Sequence, residues 1–335
     1  MNHILVTGAA GFIGFHTTIR LIELGFKVTG IDNLNPYYDP GLKIQRLQQI
    51  GIKQADIKSS VYAQSDLYAE YCFIKMSIAD THKMAELFEQ NNFDGVIHLA
   101  AQPGARYSVD HPETYIENNV TGFFNVLESC RKTKIKHLVY ASSSSVYGNN
   151  NEVPYSETDQ VDTPASLYAA TKKSNELMAY AYSHLYQIPM TGLRFFTVYG
   201  PWGRPDMVYF KYTRSILNNE PIHVYNNGYM KRDFTFIDDI VKGITDVLQI
   251  IPDDQVPHRI FNIGNSSPVE LLHFIEVLEK ILGKKAEKVM LSMQKGDVLT
   301  TFADTAKLEA YCGYKPFTPL EEGLKKFTDW YMAND

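Results

Sequence analysis

The sequence has little cysteine, no long uncharged apolar run and no large excess of one charge sign. Its three cysteines, Cys72, Cys130 and Cys312, lack the pairing of a disulfide framework, and none of the ten histidines belongs to a metal-binding pair. The net charge of -6 comes from mixed signs and does not suit nucleic acid or an anionic membrane. Met1–Thr7 leads into an apolar run without a basic leader. We therefore expect a cytoplasmic protein with no metal, no nucleic-acid partner and no membrane anchor.

The N-terminal segment has the pattern of a strand, a glycine turn and a helix. An apolar run at His3–Thr7 precedes Gly8–Gly14, and an amphipathic run follows at Phe15–Leu24. Small residues there let the backbone approach a pyrophosphate and present helix N-terminal amides to it. A second strand at Lys27–Ile31 ends at Asp32, where an acid binds the adenine ribose of NAD and repels the extra phosphate of NADP. The glycines alone leave a structural turn as the alternative.

Strand and helix patterns alternate through the following residues. Residues 33–71 are polar and are interrupted by Pro36, Pro40 and Gly51, which predicts an insertion with one helix at about 42–49. The alternation then resumes with elements at 71–76, 81–91, 95–100, 112–132 and 137–141. Strands separated by helices predict an α/β fold with a doubly wound parallel sheet of Rossmann type.

Two polar segments after these elements suggest an active site. Ser142–Gly148 begins with four serines at the carboxyl end of a predicted strand, where ligands bind in open α/β sheets. Tyr168 and Lys172 stand four residues apart and would share one face of a helix. A phenol has a pKa of about 10, so it acts as a base near neutral pH only when nearby positive charge lowers that pKa. The alternatives are a polar turn and an amphipathic helix with an exposed lysine.

The chain as a whole resembles the extended short-chain dehydrogenase/reductase family. The resemblance spans nearly the whole chain and rests on Thr7–Gly14, Asp32, His98-Leu99-Ala100-Ala101, Asn119, Ser143, Tyr168 and Lys172. Within that family, three longer stretches look most like UDP-glucuronate 4-epimerases: Gln102–Ser108, Leu193–Met207 and Lys231–Thr235.

The resemblance implies two parts, a cofactor, a substrate and a dimer. Residues 1–190 would form an NAD-binding Rossmann domain that carries the catalytic helix. Residues 191–335 would form a smaller, mixed α/β subdomain for a UDP-sugar, with about 222–262 returning to the Rossmann part. The resemblance also implies tightly bound NAD and a homodimer formed through two long helices.

The resemblance also assigns roles to residues of the first part. Tyr168 would be the acid/base, Lys172 would hold the nicotinamide ribose and lower the pKa of the tyrosine, and Ser143 would hydrogen-bond the reacting sugar oxygen. Asn119 would support the catalytic helix. Ser77 departs from the family, which usually carries an acid there for the adenine, although a serine can still hydrogen-bond. The cofactor residues would be Gly8, Gly11, Phe12, Ile13, Gly14, Asp32, Asn33, Ser77, Ile78, Leu99, Ala100, Ala101, Asn119, Tyr168 and Lys172.

The implied substrate residues lie mostly in the second part. Arg204 would clamp the glucuronate carboxylate, because a planar guanidinium binds a carboxylate through two hydrogen bonds. Its alternative is a solvent-exposed loop arginine. Gln294 stands where many galactose-type epimerases carry an arginine for the diphosphate, which leaves more of that contact to Arg232. The substrate residues would be Ser143, Ser144, Ser145, Thr197, Arg204, Tyr225 for the uracil, Arg232 for the diphosphate, and Arg106.

The serine run distinguishes between reactions within the family. Sugar-nucleotide 4,6-dehydratases place an Asp-Glu pair where Ser144 and Ser145 stand, and decarboxylases tend to keep a Glu at the second position. The serine run therefore favours simple epimerisation, and the resemblance implies that the reaction is 4-epimerisation of UDP-glucuronate to UDP-galacturonate through a transient 4-keto intermediate. The alternatives are a 4-epimerase of UDP-glucose or UDP-N-acetylhexosamines, a UDP-glucuronate decarboxylase and a non-catalytic nucleotide-sensing protein.

Overall fold

The computed structural model describes residues 1–150, 152–293 and 299–334. The position of Gln294 lies outside these residues. The strands are β1 His3–Thr7, β2 Lys27–Asp32, β3 Tyr62–Gln64, β4 Tyr71–Lys75, β5 Gly95–His98, β6 His137–Ser143, β7 Met190–Phe195, β8 Thr197–Tyr199, β9 Ile222–Val224, β10 Lys231–Phe236, β11 His258–Ile263, β12 Pro268–Glu270 and β13 Lys288–Met290. The α-helices are α1 Phe12–Glu23, α2 Pro40–Gln49, α3 Thr81–Gln90, α4 Tyr107–Asp110, α5 Pro112–Tyr115, α6 Gly122–Thr133, α7 Leu167–Tyr186, α8 Val208–Leu217, α9 Ile237–Gln249, α10 Leu271–Leu282, α11 Ala306–Cys312 and α12 Leu320–Asn334.

The main sheet has eight strands in the order β11-β7-β6-β5-β1-β2-β4-β3. The central pairs β1–β2, β1–β5, β2–β4 and β5–β6 are parallel, which confirms the predicted Rossmann-type sheet. Strand β1 has β2 on one side and β5 on the other, so the chain order reverses there. Ligands of doubly wound sheets bind at the carboxyl ends of the strands at such a reversal.

Two local features depart from the predicted elements. The insertion at 33–71 contains the predicted helix as α2, but it also contains β3, which pairs antiparallel with β4 at the sheet edge. Three residues are too few to show a strand period, so only the pairing partner defines this strand. The long predicted helix at 112–132 is divided by a π-helical turn at Ile116–Thr121. Such turns place an extra residue in the helix and often occur at functional sites.

The chain forms two compact units. The first contains residues 1–148, 160–194 and 241–261, and the second contains 149–159, 195–240 and 262–335. The sequence analysis assigned about 222–262 to the Rossmann part, but 222–240 lie in the second unit. The reason is strand pairing: β9 pairs with β13, and β10 pairs with β8 and β12.

Each unit has its own apolar interior. In the first unit, side chains of the sheet, α3, α6 and α7 form one cluster that includes Leu5, Ile31, Met84, Val96, Phe123, Leu138 and Met190. In the second unit, the rings of Phe234 and Phe274 stack at 4.6 Å. The carboxylate of Asp233, which is fully buried, accepts backbone N–H groups from Asn265, Ser266 and Ala303. None of the described helices has the length and apolar content that crossing a membrane requires.

Candidate active site

The glycine turn after β1 has no room for larger residues. Gly8 has a φ of +73°, and a Cβ added there would lie 2.8 Å from the backbone nitrogen of Ala100. A Cβ on Gly14 would lie 2.1 Å from the carbonyl oxygen of Gly8. Helix α1 begins at Phe12, and Gly11 at the N-cap has no side chain to cap the first-turn amides. These amides are therefore suited to bind a pyrophosphate, as an NAD site requires.

Asp32 ends β2 and is held by two donors. The backbone N–H of Leu34 donates to its Oδ1 at 2.8 Å, and the Lys43 Nζ lies 3.4 Å from the same oxygen. Both side chains are buried. The sequence analysis did not anticipate Lys43, because this lysine lies in the insertion, 11 residues beyond the acid.

A cavity of about 320 Å³ lies beside this strand end. Its lining includes two residues of the expected cofactor set, Asn33 and Ser77, together with Gln102 and Tyr107. Ser77 accepts the Ala79 backbone N–H at 3.2 Å through its Oγ, so its hydroxyl proton is available to an acceptor. The volume and the polar lining fit an adenosine half of a dinucleotide.

His98 and Thr7 link the ends of β5 and β1. The Thr7 hydroxyl lies 2.8 Å from His98 Nδ1 and accepts the Ala100 backbone N–H at 3.1 Å. Burial, together with the charge of Lys172, lowers the pKa of His98 to about 3, so the imidazole is neutral. This contact fixes the backbone that faces Gly8.

Asn119 connects three parts of the first unit from within the π-helical turn. Its Oδ1 accepts the Gln102 backbone N–H at 2.7 Å, and its Nδ2 donates to the Thr171 hydroxyl on α7 at 3.1 Å. Its own carbonyl accepts Asn175 Nδ2 at 2.6 Å. Asn119 therefore links the backbone after β5 to helix α7, and its role as a support of a catalytic helix stays a prediction.

Helix α7 carries Tyr168 and Lys172 on one face. Ser166 caps the helix by accepting the Ala169 N–H at 3.1 Å, and the backbone N–H of Tyr168 donates to the Ser108 hydroxyl at 3.3 Å. Lys172 is only 3% exposed and donates from Nζ to the Ala141 carbonyl at 2.8 Å. The alternative of an exposed lysine on an amphipathic helix is therefore wrong. Burial lowers the pKa of Lys172 to about 8, against the opposing effect of the Glu176 carboxylate.

Ser143 is the last residue of β6 and the N-cap of a 3-10 turn at Ser144–Tyr147. Its Oγ accepts the Ser145 N–H at 3.1 Å and donates to the Ser145 Oγ, also at 3.1 Å. The side chain is 8% exposed. The serine run therefore forms a defined turn with internal hydrogen bonds at the carboxyl end of a central strand.

The remaining expected cofactor residues lie in the first unit near these elements. Phe12 and Ile13 begin α1, and Leu99, Ala100 and Ala101 follow β5. Ile78 is buried, and its carbonyl accepts Asn125 Nδ2 at 2.9 Å. Arg106, expected to bind substrate, is exposed at the start of α4.

The other expected substrate residues lie in the second unit. Thr197 begins β8 opposite Phe234 of β10, and Tyr225 begins a 3-10 turn after β9. Arg232 donates from Nη1 to the carbonyl oxygens of Lys231 and Leu299. Arg204 is not an isolated loop cation, because its Nε and Nη2 donate to the two carboxylate oxygens of Asp206, at 3.0 and 2.6 Å. This partner was not foreseen.

Glu176 of α7 and Arg194 of β7 form a buried ion pair to which the sequence analysis gave no role. Glu176 stands four residues after Lys172, so the same helical spacing that identified Tyr168 and Lys172 includes it. No such spacing connects Arg194, because it comes from strand β7. Among the described residues, no group of three histidine, cysteine or acidic side chains is arranged to hold a metal ion.

Comparisons with known proteins identify relatives over nearly the whole chain. Residues 4–264 match the model of the NAD dependent epimerase/dehydratase family. An uncharacterized 37.6 kDa protein of Escherichia coli O111:H- is 51% identical, with 98% of this chain and 97% of that protein covered. A probable UDP-glucuronate 4-epimerase of Rhizobium meliloti is 44% identical, with coverages of 98% and 97%.

A solved structure is similar over the whole length. It is the UDP-glucuronic acid 4-epimerase of Bacillus cereus in complex with UDP-glucuronic acid and NAD, with a TM-score of 0.88, 33% identity and 99% of both chains covered. These findings confirm the resemblance stated from the motifs. The chain belongs to the NAD dependent epimerase/dehydratase family.

Proposed function

We propose that the protein is an NAD-dependent UDP-glucuronate 4-epimerase, which interconverts UDP-glucuronate and UDP-galacturonate through a transient 4-keto sugar. The observation that carries this proposal is the near full-length similarity to UDP-glucuronate 4-epimerases in sequence and in structure. The buried lysine one helical turn after Tyr168 supports catalysis, since a nucleotide-sensing protein has no need of it.

The first unit supplies the cofactor site and the proton chemistry in this proposal. Bound NAD supplies the oxidation and reduction at C4 of the sugar. Tyr168 removes the proton of the 4-hydroxyl through its phenolate oxygen and later returns it. Ser143 hydrogen-bonds the same sugar oxygen, and the charge of Lys172 stabilises the phenolate. Asp32 favours the adenine ribose of NAD over the phosphorylated ribose of NADP.

The second unit supplies most of the residues that bind the UDP-sugar in this proposal. Arg232 would bind the diphosphate and Tyr225 the uracil, with Arg106 from the first unit as an additional cation. The sugar must present either face to the cofactor, so the fixed contacts belong on the uridine diphosphate.

The carboxylate of the sugar needs a clamp for a chemical reason. A sugar oxidised at C4 is a β-keto acid. Such an acid loses carbon dioxide readily when the bond to its carboxylate is aligned with the π orbitals of the C4 carbonyl. We assign this clamp to Arg204 with Thr197, Ser144 and Ser145. The Arg204 Nε and Nη2 groups already donate to Asp206. The substrate carboxylate therefore has to replace Asp206 or accept from the remaining N–H groups of the guanidinium.

A homodimer is the expected assembly. Apolar side chains on the long helical segments of the first unit are exposed: Ile116, Phe124, Leu177, Tyr180, Leu185 and Tyr186. An exposed apolar surface of this kind is typical of an association site. Light scattering after size exclusion should give twice the mass of 38.1 kDa, and Leu177→Lys should lower the measured mass towards that of the monomer.

Cytoplasmic location stays a prediction from the sequence, which cell fractionation tests.

Proton NMR of the purified protein with UDP-glucuronate, without added NAD, tests the activity. The anomeric signals of UDP-galacturonate should appear with time, and their appearance would also show that NAD is retained. Formation of UDP-xylose with carbon dioxide would instead identify a decarboxylase. If UDP-glucose or UDP-N-acetylglucosamine is epimerised and UDP-glucuronate is not, the assigned substrate is wrong.

A further inference from the structure

A buried ion pair joins helix α7, through Glu176, to strand β7, through Arg194. Arg194 donates to both carboxylate oxygens of Glu176, from Nε at 2.8 Å and from Nη2 at 2.9 Å. The two side chains are 3% and 2% exposed. Two parallel hydrogen bonds fix the orientation of both groups, and burial protects them from screening by salt.

The pair is bonded to the chain on both sides of Ser143. Ser142 donates from Oγ to Glu176 Oε1 at 2.6 Å, and Arg194 Nη1 donates to the Tyr147 hydroxyl at 3.1 Å. Ser142 precedes Ser143 on β6, and Tyr147 ends the 3-10 turn that follows. The ion pair therefore connects helix α7 to the strand end and the turn that hold Ser143.

Glu176 also acts on the charge of Lys172. It lies one turn beyond Lys172 on α7, on the same face. Burial of Lys172 favours its neutral form, and the Glu176 carboxylate opposes this by favouring the protonated form. The other titratable groups on the elements packed here are His98 of β5, which burial keeps neutral, Tyr140 of β6, whose pKa burial holds well above 10, Tyr147, Tyr168 and Arg194. Glu176 is thus the carboxylate that keeps a positive charge beside the phenol.

Stability alone is a weak reason for such a pair. Taking two charges out of water costs about as much as their attraction returns, so a buried ion pair adds little net stability. We propose that Glu176, held by Arg194, is a positioning residue of the reaction: it keeps Lys172 protonated and fixes Ser143 relative to Tyr168. This inference rests on the proposed function for its kinetic readout but not for its spectroscopic one.

Two single variants should change Lys172 in opposite directions. Glu176→Gln removes the attraction and leaves the Arg194 charge unpaired, so the pKa of Lys172 should fall by roughly 1 pH unit. Arg194→Gln leaves the Glu176 charge unpaired, so the pKa of Lys172 should rise. The double variant removes both charges, and its Lys172 should titrate between the two single variants. A pair whose charges do not act on Lys172 would leave its titration unchanged in both variants.

The experiment is an NMR titration of the NAD-loaded protein labelled with 13C at the lysine ε-carbon. The Lys172 resonance is assigned as the one missing in Lys172→Met. In parallel, kcat for UDP-glucuronate epimerisation is measured against pH. For Glu176→Gln we expect the alkaline limb of the kcat–pH profile to move to lower pH together with the Lys172 titration. At a fixed pH above that limb, kcat should fall roughly tenfold for each pH unit by which the limb moves. Glu128→Gln is the matched control, because Glu128 also binds an arginine, Arg131, and accepts from Tyr182 of α7.

The outcomes separate this inference from the proposed function. Unchanged titration of Lys172 in both single variants, or shifts of the same sign, would overturn the inference. If Glu176→Gln fails to fold, Arg194→Gln carries the test alone, and a constant or lowered Lys172 pKa in that variant overturns it equally. If the wild type does not epimerise UDP-glucuronate, the proposed function fails, while the NMR titration still decides the role of Glu176.

Discussion

Replacing Lys172 by methionine should lower epimerase activity at least about 100-fold and yet stabilise the protein. The side chain is 3% exposed, and burial lowers its pKa from 10.5 to about 8. At about 1.4 kcal/mol per pH unit, the folded state loses about 3 kcal/mol by keeping this charge buried at neutral pH. The methionine also loses the hydrogen bond to the Ala141 carbonyl, which contributes about 1 kcal/mol. The expected net gain in the free energy of unfolding at pH 7 is therefore about 2 kcal/mol.

The stability difference between Lys172→Met and the wild type should depend on pH. Below pH 8, Lys172 is protonated in the folded and unfolded states, so the folded wild type is destabilised by the full effect of the buried charge. Between about 8 and 10.5 the folded lysine is neutral while the unfolded lysine still binds a proton, so wild-type stability rises with pH. The advantage of the variant should therefore shrink over this range and disappear by about pH 10.5.

The assay is urea unfolding of both proteins at pH 7 and pH 10, after bound nucleotide has been stripped so that cofactor affinity does not enter. Lys173→Met is the control, since Lys173 lies 4.0 Å from Asp162 and is 23% exposed. Removing that surface pair should change the free energy by less than about 1 kcal/mol. Epimerase activity of Lys172→Met should fall by at least about 100-fold. A variant that is no more stable than the wild type at pH 7 would refute the cost assigned to the buried charge.

Three further predictions concern the other parts of the site. Gly14→Ala places a Cβ 2.1 Å from the Gly8 carbonyl oxygen. Calorimetry should therefore show that the free energy of unfolding falls by about 1 to 3 kcal/mol or more, and an unchanged melting temperature would contradict the close packing of the turn. Asp32→Asn should raise the Kd for NAD and bring the Kd values for NAD and NADP closer together, as measured by calorimetric titration. The same ratio of the two Kd values in the variant and the wild type would show that Asp32 does not select the cofactor. Asp206→Asn should release the fork of Arg204 and lower KM for UDP-glucuronate several-fold while leaving inhibition by UDP unchanged; an equal effect on both would place Arg204 away from the carboxylate.

Local sequence patterns determined the main elements because each pattern reflects short-range physics. The glycines at 8, 11 and 14 are required where the backbone leaves no space for a side chain, so their spacing, together with the strand before it and the helix after it, predicted the turn. Apolar runs separated by amphipathic helices predicted the parallel sheet, since the periods of burial are local. The pair Tyr168 and Lys172 was found because a helix repeats its faces every three to four residues.

Tertiary structure decided the features that depend on contacts between distant segments. Strand β3 exists because β4 offers an open edge, and 222–240 belong to the second unit because β8, β12 and β13 pair with that segment. The buried pair of Glu176 and Arg194 joins a helix to a strand 18 residues away. Burial of Lys172 depends on the Ala141 carbonyl of β6, 31 residues earlier in the chain. Sequence spacing therefore identifies which residues share an element, whereas the packing of elements determines their partners, their burial and their charge.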